Sequence, residues 1–275
     1  MTIHQAILHG EALLREYGVE QPRWNAERLL LLALKQDRAQ IYLQLHRQMS
    51  AEELQNYLAL VQKRMEHYPL AYLEGTQDFF GREFYVDENV LIPRPETEEI
   101  VHAVLELKLP AKPRILDLGS GSGNLASTLA LQIPASYVVA LEFSLSAIGV
   151  LKRNLQPGAE IVRGNLFTPP FLQNSFDVIV SNPPYVEESS FRELPAETRW
   201  EPRLALVTPD LEETYRSLLI HSANLLKNRG YLVFEIGFGQ AERIQNLCAL
   251  QRPLSLLQIR KDQREIPRTF VLRRS

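Results

Sequence analysis

The chain is 275 residues long, 45% hydrophobic and 23% charged, enough apolar material for one packed core or two. Thirty Lys and Arg against thirty-three Asp and Glu give a formal net charge of −3, which argues against a protein that coats duplex nucleic acid. One cysteine, Cys248, excludes an internal disulfide, a paired-thiol zinc site and a redox pair, and a cytoplasmic home is expected.

Residues 1–75 read as a small helical domain. Thr2 followed by Gln5 has the form of a capping box, and Ala6, Leu13, Leu14 and Tyr17 then recur at helical spacing up to Gly18. Pro22 suits a first helical turn, after which Leu29, Leu30, Leu32, Ala33 and Leu34 give a broad apolar face. The stretch Leu29–Leu34 is the longest aliphatic run and is far short of a membrane span; with no signal-peptide layout ahead of it, no membrane or export role is expected. Ser50 and Glu53 cap a further helix carrying Leu54, Leu58, Val61 and Met65, expected to end at Pro69. Eight basic and nine acidic residues in this segment make it a packing or partner-docking module rather than an electrostatic arm for nucleic acid.

Between residues 79 and 92 the texture turns aromatic and β-branched, with Gly81 and Asp87-Glu88-Asn89 as turn signals. This predicts a hairpin linker over residues 76–95, stiffened by Pro93 and Pro95, that bridges two domains. From Arg114 onward short apolar runs at 114–118, 137–141, 161–162, 176–180 and 231–236 alternate with helical patterns. That rhythm predicts an α/β domain over residues 96–275, a doubly wound parallel sheet with helices on both faces. Two late runs, 254–259 and 269–272, lie too close for a crossover helix, so an antiparallel pair at one edge is expected.

The run Asp117-Leu118-Gly119-Ser120-Gly121-Ser122-Gly123 joins the first of these strands to a helical segment. Glycines there supply turns of positive φ and let backbone approach a ligand, and the following helix offers free N–H groups. The same residues would also make a plain strand-to-helix turn. Two features point to a ligand other than a diphosphate. The spacing is G-x-G-x-G, not G-x-G-x-x-G, and the carboxylate of Asp117 would repel a diphosphate while attracting an ammonium or sulfonium. Glu142, ending the second strand, can accept both hydroxyls of a ribose, and Asn165, after the third, offers an amide to an adenine edge. Together Asp117, Gly119, Ser120, Gly121, Gly123, Glu142 and Asn165 fit S-adenosylmethionine better than a dinucleotide. Read singly, Glu142 is also a helix-start charge beside Ser144 and Asn165 a turn residue.

The strand at 176–180 runs into Asn182-Pro183-Pro184-Tyr185. Two prolines fix φ and remove donors, so the first carbonyls of the loop are held at the carboxyl edge of the sheet, and Asn182 adds a side-chain carbonyl. Such acceptors suit the two hydrogens of a planar NH₂ group, with Tyr185 as an aromatic wall. An amide nitrogen is a poor nucleophile because its lone pair is delocalised. Gripping its hydrogens favours a pyramidal nitrogen aimed at a methyl sulfonium, so transfer rests on positioning more than on a strong base. A stiff loop without a site is the plain alternative. The six histidines lie outside these motifs and read as surface or packing residues.

With these features located, the sequence resembles, along nearly its whole length, the protein-glutamine N5-methyltransferases acting on class-1 peptide-chain release factors. Further matching segments are Leu91-Ile92-Pro93-Arg94-Pro95-Glu96-Thr97-Glu98, Arg199-Trp200-Glu201-Pro202-Arg203-Leu204-Ala205-Leu206 and Phe234-Glu235-Ile236-Gly237-Phe238-Gly239-Gln240. The resemblance implies a Rossmann-like methyltransferase sheet joined to the helical domain, and methylation of the glutamine in the Gly-Gly-Gln tripeptide of bacterial release factors. It places Gly119 and Gly121 at the methionine part of the cofactor, Glu142 at the ribose and Asn165 at the adenine. Asn182, Pro183, Pro184 and Tyr185 would hold the substrate amide, with Asn182 also binding the cofactor, and Arg94, Glu96 and Glu201 would stand near the substrate; Arg94 and Glu96 could equally tie the linker to the core. A monomer without direct nucleic-acid contact is expected. The chain departs from the family at Asn165, where an acidic residue is usual, in the glycine-free stretch Val207-Thr208-Pro209-Asp210, and at Asn124 and Leu125. Competing readings are a ribosomal-protein glutamine methyltransferase of similar pattern, a nucleic-acid amino-group methyltransferase, for which the charge is unfavourable, and a non-catalytic partner-binding protein, for which both motifs are too intact.

Overall fold

The computed structural model describes residues 1–275, which divide into two units: Met1–Gly75 with Pro195–Trp200, and Thr76–Leu194 with Glu201–Ser275.

The first unit is helical: α1 (Ile3–Glu16), α2 (Pro22–Leu34), α3 (Arg38–Leu43), α4 (Ala51–Met65) and α5 (Leu70–Glu74). Three of these start at reciprocal capping boxes, Thr2 with Gln5, Asp37 with Gln40 and Ser50 with Glu53, each satisfying two otherwise orphan N–H groups. Ile3, Ile7 and Leu14 of α1 pack with Leu29 and Leu30 of α2 and Tyr57 and Val61 of α4. α4 ends at Met65, ahead of Pro69, because His67 turns into the left-handed region at φ +61°. Pro69 instead begins α5. The segment Pro195–Trp200 is bound into this unit by specific groups. The buried Arg64 guanidinium donates to Asn25 at 2.8 Å, to the Tyr68 carbonyl at 3.1 Å and to Glu197 at 2.6 Å. The Trp200 indole donates to the Glu66 carbonyl at 3.1 Å, and its ring meets Tyr68 edge-on at 5.2 Å.

The second unit opens with the antiparallel hairpin β1 (Thr76–Phe79) and β2 (Arg82–Tyr85). Its two-residue turn, Phe80-Gly81, has φ of +51° and +71°, as a hairpin with the native twist requires. Phe79 and Phe84 are fully buried against Ile100 and Val104 of α6 (Glu98–Leu105), so the hairpin is part of this unit's core and not a bridge outside it. The expected α/β architecture follows: β3 (Arg114–Leu118), α7 (Asn124–Gln132), β4 (Tyr137–Glu142), α8 (Leu145–Asn154), β5 (Ala159–Arg163) and β6 (Phe176–Ser181). After the short β7 (Val186–Glu187), α9 (Arg203–Leu206) and β8 (Val207–Thr208) come α10 (Leu211–Leu225), β9 (Leu226–Glu235), α11 (Ala241–Leu250), β10 (Leu254–Lys261) and β11 (Pro267–Arg274).

The main sheet has seven strands in the order β10-β11-β9-β6-β3-β4-β5. Strands β9, β6, β3, β4 and β5 are parallel. β11 runs antiparallel between β9 and β10, so the antiparallel strand stands one place in from the edge. Strand alternation separates two cores. Leu116, Leu118, Ile179, Leu232 and Phe234 face α10 and α11, while Ile115, Val178, Val180 and Val233 face α6 and α7. Each such fully buried aliphatic or aromatic side chain contributes about 1.5–3 kcal/mol relative to exposure. Chain order reverses between β3 and β6, and their carboxyl ends are where an open α/β sheet binds ligands.

Candidate active site

The carboxyl ends of β3, β4, β5 and β6 open onto a cavity of about 430 Å³, lined by residues of the glycine turn, Glu142, Asn165, Asn182 and Pro184. Gly119, Gly121 and Gly123 have φ of +78°, +53° and +82°. The Gly119 and Ser120 N–H groups both donate to the Leu141 carbonyl at 2.9 and 3.0 Å, which ties the turn to the end of β4. Gly123 caps α7 and does not line the cavity; a Cβ there would lie 2.4 Å from a methyl of Leu151.

Asp117 lines the cavity yet is fully buried. One carboxylate oxygen accepts from the Ala126 N–H at 3.1 Å, fastening the first turn of α7, and the other is buried with no partner. Burial pushes this carboxyl up to about 7. Glu142 uses both oxygens within the protein: one accepts from Phe143 and Ser144 N–H at 2.8 Å each, the other from Gly121 N–H at 2.9 Å. The helix-start and turn-holding roles of Glu142 are therefore realised. Its geometry leaves further ligand hydrogen bonds to the remaining lone pairs. The side-chain oxygen of Asn165 accepts from Phe167 N–H at 2.9 Å, closing an Asx turn. Of the amide expected at an adenine edge, the oxygen thus already accepts from its own backbone.

The Asn182 amide nitrogen donates to the Thr97 hydroxyl at 3.1 Å, while its Oδ1 is buried without a partner. The Thr97 hydroxyl in turn donates to Glu235 Oε2 at 2.6 Å, and the Tyr185 hydroxyl donates to Glu235 Oε1 at 3.0 Å. Glu235 is fully buried at the end of β9, which pushes its carboxyl up to about 7. Burial and the adjoining Glu235 push the Tyr185 phenol far above its ordinary range, so it stays a donor. Only Asn182 and Pro184 of the Asn-Pro-Pro-Tyr loop line the cavity. Pro183 is buried, and the Tyr185 ring packs inward on the core beside α10 instead of standing as an open wall. Its carbonyl accepts from the Gln240 side chain at 2.9 Å, whose own oxygen accepts from Gly237 N–H at 2.9 Å.

Arg94 lines the cavity; Glu96 and Glu201 do not. Glu201 is buried and accepts from the Ile92 N–H at 3.0 Å and from the Arg94 guanidinium. Its position is that of an anchor for the segment bearing Arg94. Glu96 sits in the single 3₁₀ turn that carries Thr97 to α6. Thr97 and Glu235 were not among the sequence-predicted site residues. The available signal was a glutamate ending the apolar run of β9, a place where a charge is rarely buried unless it has partners.

Comparison with known proteins agrees along the chain. Residues 5–75 match the family described as PrmC N-terminal domain, and residues 99–197 the family described as Methyltransferase small domain. A protein of Chlorobaculum tepidum named release factor glutamine methyltransferase is 36% identical, covering 94% of this chain and 92% of its own. A protein of Geobacter sulfurreducens with the same name is 40% identical over 88% and 87%. Among solved structures, the hMettl16 catalytic domain is similar with a TM-score of 0.54 at 14% identity, covering 74% of this chain and 88% of that one, a likeness of fold.

Proposed function

Since the chain belongs to the release factor glutamine methyltransferases, we propose that it methylates the side-chain amide nitrogen of the glutamine in the Gly-Gly-Gln motif of class-1 release factors, with S-adenosylmethionine as donor. The cavity residues fit that cofactor. The glycine turn keeps side chains out of the way, Asp117 has a buried oxygen in need of a donor, and Glu142 and Asn165 lie along the rim in the order of the strands that carry them. Gly119 and Gly121 would hold the methionine part, Glu142 the ribose and Asn165 the adenine. Bound there, S-adenosylmethionine would supply a methyl group made electrophilic by a sulfonium and would leave as S-adenosylhomocysteine.

The protein's own contribution is placement. Asn182 Oδ1 accepts one hydrogen of the incoming carboxamide, and Pro183, buried outside the cavity lining, stiffens the loop that carries it. This bond pulls the nitrogen away from conjugation with its carbonyl and turns the lone pair toward the methyl donor. After transfer the cationic nitrogen loses its proton to water, so no strong base is required. Tyr185 serves from beneath, through Glu235, and Arg94 stands at the mouth. The observation that carries this reading is the buried, unpartnered Oδ1 of Asn182 in a residue facing the cavity, since such an atom costs free energy unless a ligand supplies a donor.

The working form is a cytoplasmic monomer that meets its substrate as a folded protein and makes no direct nucleic-acid contact, consistent with the net charge of −3. The test is mass spectrometry of a release factor incubated with the protein and cofactor. One methyl added to the Gly-Gly-Gln glutamine is expected. Transfer to a ribosomal-protein glutamine or to RNA in parallel reactions, with none to the release factor, refutes the assignment.

A further inference from the structure

We propose that Glu235 is a positioning residue: acting through Thr97, it fixes the direction of the hydrogen-bond chain that leaves the Asn182 carbonyl oxygen available to substrate. The inference rests on the assignment of Asn182 as the group that grips the amide.

An asparagine side chain is nearly symmetric in shape, and its two ends are told apart only by their partners. Were the ends exchanged, Asn182 would meet the substrate with two donors facing the amide's own hydrogens. What prevents exchange is a directional chain. When ionised, the Glu235 carboxylate has acceptors only, so the hydroxyls on either side of it must both donate, Thr97 at 2.6 Å and Tyr185 at 3.0 Å. The Thr97 proton is thereby committed. Toward Asn182, 3.1 Å away, the Thr97 oxygen can only accept, and the amide nitrogen must face it. Thr97 and Glu235 are each 1% exposed, so water cannot relieve a reversed bond. The result is the arrangement seen, with Oδ1 turned away from Thr97 and lacking a partner.

The position calls for an acid and not for a side chain of its shape. A glutamine at 235 would fill the space but present one donor end, and whichever way it turned, one hydroxyl would lose its acceptor. If that hydroxyl is Thr97, its proton becomes free to point at Asn182 and the amide can exchange ends. If it is Tyr185, the loop that carries Asn182 loses its tie to β9. In either case the defect falls on the acceptor that substrate meets and not on the glycine turn.

The experiment compares Thr97→Val, Thr97→Ser and Glu235→Gln with the wild type at a pH well above 7, where Glu235 is ionised, measuring kcat and KM with a release factor, affinity for S-adenosylmethionine by calorimetry, and melting temperature. Thr97→Val and Glu235→Gln are expected to lower kcat by about 10²-fold, the usual effect of losing one preorganised hydrogen bond at a reacting group. Cofactor affinity should hold, and Thr97→Ser, which restores the hydroxyl, should recover most of kcat. Wild-type kcat in Thr97→Val overturns the inference. So does a Thr97→Ser enzyme as impaired as Thr97→Val, which would make the effect one of packing. If Glu235→Gln does not fold, the Thr97 pair decides alone. A wild type that adds no methyl to the release factor defeats the functional assignment, and this inference with it; an active wild type matched by Thr97→Val defeats this inference only.

Discussion

Replacing Gly123 by alanine isolates what the glycine turn requires of its backbone, and Gly121→Ala is the matched control. Both residues hold positive φ, +53° at Gly121 and +82° at Gly123. An alanine in this region costs about 1–2 kcal/mol through the contact of its Cβ with the following carbonyl. At Gly121 nothing else lies within 4 Å of the added methyl, so that is the whole expected cost. At Gly123 the methyl would come 2.4 Å from Leu151, which is fully buried and packed in the core beneath α7 and α8. Forcing such a side chain off its rotamer adds about 1–3 kcal/mol. Gly123→Ala is therefore expected to lose about 2–5 kcal/mol, against total stabilities of about 5–15 kcal/mol for ordinary domains. Both tryptophans, Trp24 and Trp200, lie in the helical unit, so urea denaturation should be followed by far-ultraviolet circular dichroism. Calorimetry with S-adenosylmethionine should show weaker binding for Gly123→Ala, whose helix start is displaced. Equal stability of the two variants, within about 0.5 kcal/mol, would show that Leu151 yields freely and that the turn is not held against α8 as argued.

Other expectations follow from the polar anchors. Asn182→Ala should abolish methyl transfer in the mass-spectrometric assay while cofactor binding stays within about tenfold, ~1.4 kcal/mol; undiminished turnover would remove the amide-gripping role. Glu201→Ala leaves the buried Ile92 N–H without an acceptor and Arg94 without its carboxylate, so a loss of about 1–3 kcal/mol in thermal denaturation and a raised KM for the release factor are expected. Glu201→Gln, which can still accept from Ile92, should lie between. Glu235 gives a pH signature. Burial raises it to about 7, Glu96 works in the same direction, and the Thr97 and Tyr185 hydroxyls and the Arg268 charge work against both. Between the ordinary carboxylate value and about 7 the folded protein therefore holds a proton that the unfolded chain has already given up, and above about 7 the group is ionised in both. Stability from this group is full below the ordinary carboxylate value and is lost as pH rises through about 7. The stability of wild type relative to Glu235→Gln should accordingly fall between pH ~5 and ~8; a difference independent of pH would place the proton elsewhere.

Features carried by neighbouring residues were legible in the sequence. The Thr2 and Ser50 capping boxes, the strand leading into the glycine turn and the alternation of apolar runs each rest on contacts a few residues apart, and all stand in the structure. α3 escaped because six residues are too few to show a period, although its own capping box at Asp37 and Gln40 was readable. The hairpin was foreseen near Gly81, but its place in the core depends on Phe79 and Phe84 meeting α6, a tertiary choice. Tyr185 read as a wall because an aromatic beside two prolines suits one, and its inward turn is decided by Glu235, fifty positions on. The bond from Thr97 to Glu235 spans 138 positions. No spacing rule reaches across such a gap; it is closed by the packing of α6 beside β9, which brings Thr97 to the end of that strand.

The membership of Pro195–Trp200 in the helical unit bears on how this gene can be dissected. A fragment cut after Gly75 would leave the Arg64 guanidinium, which is 5% exposed, without the Glu197 carboxylate and would strip the Trp200 ring from Tyr68. Deleting the N-terminal helices would in turn leave those six residues without the Arg64 and Tyr68 side chains that Glu197 and Trp200 meet. The boundary is crossed by the polypeptide three times, and an autonomous helical module would have to carry a grafted copy of the distant hexapeptide.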